Sequence, residues 1–162
     1  MPIPAQISTA ASMFRQNNAM LAKTLDGLGA DDWLASPRES SNPILWIAGH
    51  IVWARAMTLK TLGHTWERPW MGQFARGAGL PAASEYPAPD EILSGWADVS
   101  AKLTSALETA SDEALSAPTG EKSPSFDGKV SGMVSFLAFH EAYHVGQAAY
   151  LRCWLGHGGI VG

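Results

Sequence analysis

Three histidines, His50, His140 and His144, carry the chemistry most readily read from this chain. His140 and His144 are i and i+4, so on a helix they lie about 40° apart on one face and can share a ligand. That face also carries Met133, Phe136, Leu137, Gln147 and Leu151, a stripe that should point into a core. His50 sits within a second stripe, Trp46, Ile47, Trp53, Ala54 and Met57, and is expected to point inward as well. A single core histidine is ordinarily satisfied by a carbonyl or hydroxyl. Three together are costly without a metal, because each neutral ring needs partners for both nitrogens and a charged ring pays desolvation.

The residues therefore predict one shared divalent ion. Three neutral imidazoles leave the ion its full charge and an open position, the arrangement of reactive rather than closed structural sites. Such an ion acidifies bound water to a pKa of about 7 or holds a thiolate at neutral pH. The single cysteine, Cys153, follows His144 by nine residues, a turn of roughly 180°, and is expected to be a small buried hydrophobe rather than a ligand. A thiolate at the metal would then have to come from a small molecule. Imidazole ligands alone suit zinc, nickel, copper and iron alike.

Around the pair, Glu141 is expected at the rim as a base or supporting partner, or else in solvent. Gln147 is placed to orient a ligand, and Tyr143 to donate a proton. His64, past Gly63, and His157, between Gly156 and Gly158, are expected to be solvated. Trp46, Trp53 and Trp96 read as core; Trp66 and Trp70 lie in a loop. The string His140-Glu141-Ala142-Tyr143-His144 also matches the HExxH pattern of zinc proteases. Those enzymes need a sheet edge for the peptide and a downstream third ligand, and the sequence supplies neither.

The elements that must position these residues are helical. Apolar residues at Ile7, Ala11, Phe14, Leu21, Leu25 and Leu28 recur at helical spacing, predicting helix one over 5–28 with a break in its stripe at Asn18. Asn42-Pro43 reads as an N-cap with proline at the first helical position, and Gly63 as the stop of helix two. The stretch 63–89 has proline, glycine and aromatic residues without periodicity and is expected to be loop, folded over the metal end. Helix three follows Pro89 with Asp90 and Glu91 in its first turn and Ile92, Trp96, Val99, Leu103 and Leu107 as its stripe. A second loop covers 118–128, and helix four runs from about Val130 to Leu155. No segment alternates like a strand, so the fold class is all-α, a four-helix bundle in a single domain, 1–162.

Composition narrows the functions. Apolar residues make up 46% and charged ones 16%, a balance that supports a folded core rather than disorder. A net charge of -4 with 11 Lys+Arg provides no basic stripe for phosphates, which disfavours nucleic acid as the main partner. The apolar stretches meet Arg55, Glu141 or Arg152 before reaching membrane-span length, so no membrane partner is expected. The opening residues Met1-Pro2-Ile3-Pro4 lack the pattern of a secretory signal, and the cytoplasm is the expected compartment.

Asn42-Pro43-Ile44-Leu45-Trp46-Ile47-Ala48-Gly49-His50, followed by His140-Glu141-Ala142-Tyr143-His144-Val145-Gly146-Gln147, resembles the DinB/YfiT-like superfamily over nearly the whole chain. The resemblance implies a four-helix bundle, often dimeric, with His50, His140 and His144 as ligands to one divalent ion, nickel or zinc foremost. It implies a small-molecule substrate, with transfer of a low-molecular-weight thiol ahead of hydrolysis. The alternative is a non-catalytic metal- or ligand-binding stress-response bundle. Val145 stands where many members have a basic residue.

Overall fold

The computed structural model describes residues 3–161; Met1 and Pro2, on which the compartment reading partly rests, lie outside them. The regular elements among the described residues are all helical. Five α-helices follow one another, α1 (Ser8–Leu25), α2 (Ile44–Thr61), α3 (Pro89–Thr109), α4 (Asp112–Ser116) and α5 (Val130–Trp154), with 3-10 turns at Ala5–Ile7, Met71–Phe74 and Ala83–Glu85. The only extended pairing among them is an isolated bridge between Pro118 and Lys129. No helix among the described residues is long and apolar enough to cross a membrane.

The periodic residues explain the packing. α5 lies against α1 and α2, and α2 also against α3. The predicted stripes supply the core, with Phe14 and Leu21 of α1, Ile47 and Ile51 of α2, Val99 and Leu103 of α3, and Val134 and Ala148 of α5 all buried. α2 and α5 are apolar on more than one side, because each is sandwiched between neighbours.

Several boundaries differ from expectation. Helix one begins with a 3-10 turn and is α-helical only over Ser8–Leu25, ending before Gly27, whose φ of +71° closes the turn. The break in its stripe buries Asn17 rather than Asn18, because the Asn17 amide donates to the Ala138 carbonyl of α5 at 3.1 Å. In α2 the N-cap is Pro43, not Asn42, and no side chain caps it. The Leu45 N–H is instead satisfied by the Trp33 carbonyl at 2.9 Å, so tertiary backbone contact replaces the expected side-chain cap. The short α4, which the sequence reading left out, is capped by the Ser111 hydroxyl, which accepts from the Ala114 N–H.

The long segment 63–89 does pack. Trp66, Met71 and Phe74 are buried in it. Its Trp66 and Trp70 rings lie over Gly95 of α3, and its Phe74 ring lies over Gly49 of α2.

Candidate metal centre

α2 and α5 bring the three predicted imidazoles together. His50 and His144 are buried and His140 partly so, with one ligand atom from each lying within 4.8 Å of the others. His140 Nε2 stands 3.4 Å from His50 Nε2 and 3.1 Å from His144 Nε2. The outer nitrogens fix two of the rings. His50 Nδ1 donates to the Phe74 carbonyl at 2.7 Å, and a carbonyl can only accept, so the neutral ring carries its proton there and leaves Nε2 as a lone pair. Gln147 Nε2 donates to the Tyr143 hydroxyl at 3.1 Å, turning its Oε1 toward His144 Nδ1 at 2.8 Å. His144 Nε2 is therefore a lone pair too.

These roles decide whether an ion fits. Two lone pairs face His140 Nε2, which has at most one proton to offer, while His140 Nδ1 is buried without a partner. A cation resolves the conflict by accepting all three lone pairs. Imidazole bonds of about 2.0–2.1 Å put neighbouring ligand nitrogens about 3.0–3.4 Å apart, which matches the two spacings to His140, while the set of three is held within 4.8 Å.

The electrostatics favour neutral rings. Burial pushes His50 below its ordinary value, with the Phe74 carbonyl opposing. Burial also lowers His140, helped by the charges of His50 and Arg76. His144 is lowered to about 4, first by burial and then by its two histidine neighbours. Trp46 and Trp53 stack on the His50 ring at centroid distances of 4.8 and 5.2 Å, so these two core tryptophans also wall the site.

Gln147 lies where the sequence reading put it, and Tyr143 is beside it but exposed. Glu141 does not. Its carboxylate is neither at the rim nor in solvent: it is 1% exposed and accepts from Arg55 Nε at 2.8 Å and Nη2 at 2.9 Å. One residue past His140 on a helix turns a side chain by about 100°, and here that turn faces the gap between α1, α2 and α3 rather than a rim. Burial pushes the Glu141 carboxyl up, and the guanidinium opposes that rise. Arg55 also donates to Ser100 Oγ at 2.6 Å and the Phe14 carbonyl at 3.1 Å, and lies 3.9 Å over the Trp96 ring. This arrangement also removes the glutamate base that an HExxH protease needs.

Two other expectations are corrected. Cys153 is exposed, because only the Leu151 side of the last turn of α5 meets the core and Cys153 is about 200° around from it. His157 is not simply solvated; its Nε2 lies 2.9 Å from Asp32 Oδ2. His64 is exposed as expected. Val145 is 1% exposed in the core.

The sequence reading missed the Phe74 carbonyl and Gly49. A glycine inside a helix costs about 1 kcal/mol relative to alanine, so Gly49 beside His50 was the available signal of close packing. A Cβ there would come 2.5 Å from the Phe74 ring.

Beside the cluster lies a hollow of about 540 Å³ between α2 and α5, bordered by His140 and Trp53 and closed by Arg76 of the long segment. A second hollow of about 690 Å³ lies on the Tyr143 and Gln147 side.

An all-helical chain with three converging imidazoles from α2 and α5 defines a class of helical proteins with a candidate metal centre. The family model of the DinB superfamily matches residues 13–148, and the chain belongs to that superfamily. No curated protein matches it.

Proposed function

We propose that this protein is a divalent-metal-dependent enzyme acting on a small molecule, with transfer of a low-molecular-weight thiol ahead of hydrolysis. The observation that carries the reading is the convergence of three imidazoles, two of them with the Nε2 lone pair fixed, next to a hollow of substrate size. His50, His140 and His144 would hold the ion, nickel or zinc foremost. When bound, it supplies Lewis acidity that holds a thiolate or polarises a substrate.

The chain's own residues do the rest. The Phe74 carbonyl and Gln147 orient His50 and His144 and fix their tautomers. Trp46 and Trp53 exclude water from one side of His50. The Tyr143 hydroxyl, exposed, tied to Gln147 and bordering the second hollow, is a candidate to hand over a proton from that side of the cluster.

In this reading α1, α2, α3 and α5 are the family's four-helix bundle, in one domain spanning 1–162, cytoplasmic and homodimeric. Light scattering that gave the mass of one chain at micromolar concentration would remove the dimer. A thiol-conjugation screen on metal-loaded protein tests the activity. Turnover that disappears in His140→Ala is expected. Stoichiometric metal without turnover on any thiol or hydrolysable substrate would leave a non-catalytic binding bundle instead.

A further inference from the structure

The hollow beside His140 has a chemical polarity of its own. Its walls are Trp53 and Met57 of α2 and Met133, Phe136 and Leu137 of α5. Its charged lining consists of Lys60 and Arg76, with no acid among the residues that form it. Both cations are exposed, and among the described residues neither has an ion-pair partner. In a chain of net charge -4 this is a local reversal of sign.

The order of residues gives the hollow a direction. On α2, Trp53, Met57 and Lys60 follow His50 at helical spacing, so the walls run about 15 Å along the helix from imidazole to ammonium. On α5, Phe136 and Met133 precede His140 and run the same way, because the chain direction of α5 brings its start toward the end of α2. One end is therefore a group of imidazoles, the middle is thioether and aromatic carbon, and cations stand at the rim.

We propose that this hollow selects small apolar acids: an anionic group on Lys60 and Arg76, with the hydrocarbon body along Met57, Met133 and Phe136 toward His140. The proposal rests on the reading of the histidines as the reacting end, and names the substrate class for it. Apolar walls bind alkyl chains by burying them, and two exposed cations at the rim, with no acid beside them in the lining, add sign selectivity.

Calorimetric titration of the metal-loaded full chain with octanoate, octanamide, octylamine and butanoate tests it. Octanoate should bind once per chain at least tenfold more tightly than octanamide, and octylamine more weakly than either. Affinity should rise about three- to fourfold per methylene from butanoate to octanoate. Lys60→Met and Arg76→Met should each weaken octanoate about five- to tenfold and leave octanamide unchanged. Equal binding of acid and amide, a flat chain-length series, or unchanged octanoate affinity in the double variant would overturn the proposal; the last is also what a carboxylate sitting on the metal would give. Metal content measured on the same samples keeps the two readings apart. Octanoate binding that depends on Lys60 in protein without metal upholds the hollow and fails the metal site. Stoichiometric metal with no preference for the acid does the reverse.

Discussion

The Phe74 carbonyl oxygen lies 2.7 Å from His50 Nδ1, so a backbone group at the end of the 3-10 turn Met71–Phe74 sets the tautomer of an imidazole in the middle of α2. The contact depends on Gly49, because the Phe74 ring occupies the space that a side chain there would fill.

Gly49→Ala should therefore act at a distance of one residue on the metal centre. A Cβ at 2.5 Å from a buried ring forces the ring and its backbone to shift. Overpacking of this kind costs about 1–3 kcal/mol, and losing a supporting hydrogen bond on a metal ligand costs about tenfold or more in affinity. Denaturant melts and a competitive chelator titration measure the two. Stability lost with metal affinity intact would separate Phe74 from the site.

Gln147→Ala should loosen His144 without unfolding the helix. Metal affinity is expected to fall about 10- to 100-fold. Tyr143→Phe, which removes only the group that accepts from Gln147, should weaken binding less. The reverse order would place the hydroxyl, not the amide, in charge of the ring.

Glu141→Ala tests whether the HExxH-like glutamate is structural. Removing one partner of the buried Arg55–Glu141 pair should cost about 3–5 kcal/mol while leaving one ion per folded chain. Pairing Arg55→Met with Glu141→Leu should recover much of the loss, because no unpaired charge remains. Lost metal with full stability in Glu141→Ala would return the carboxylate to the site.

Metal retention should extend to acid pH. Burial and its histidine neighbours lower His144 to about 4, and burial lowers His50 and His140 as well, so protons compete with a metal for the ligand nitrogens only at more acid pH than for ordinary histidines. The same shifts make the metal-free protein lose stability as pH falls from about 6.5 toward 4, since the unfolded chain binds those protons first. Metal release with a midpoint at or above pH 6.5 would contradict the neutral, buried cluster.

How much of this was legible in the sequence follows from range. The ligand trio was readable because each histidine sits within a helical stripe, and a stripe states which way its members point. Glu141 was misplaced for the complementary reason. Its partner Arg55 is 86 residues away, and only the packing of α2 on α5 brings them together. Both charges interrupt apolar stretches, which was the clue that they neutralise one another. Cys153 lies in the last turn of α5, where only the Leu151 side meets the core, and His157 lies past the helix end, where its contact with Asp32 has no helical signature. The Phe74 carbonyl carries no side-chain signature, and only Gly49 pointed to it.

The most direct test is elemental analysis of protein purified without an affinity tag, for the native chain and for His50→Ala, His140→Ala and His144→Ala. One divalent ion per chain is expected in the native protein and none at stoichiometry in the variants, with helical circular dichroism retained because the apolar stripes are intact. Full metal occupancy in the His140 and His144 variants, or no bound metal in a native chain offered nickel or zinc, would contradict the site.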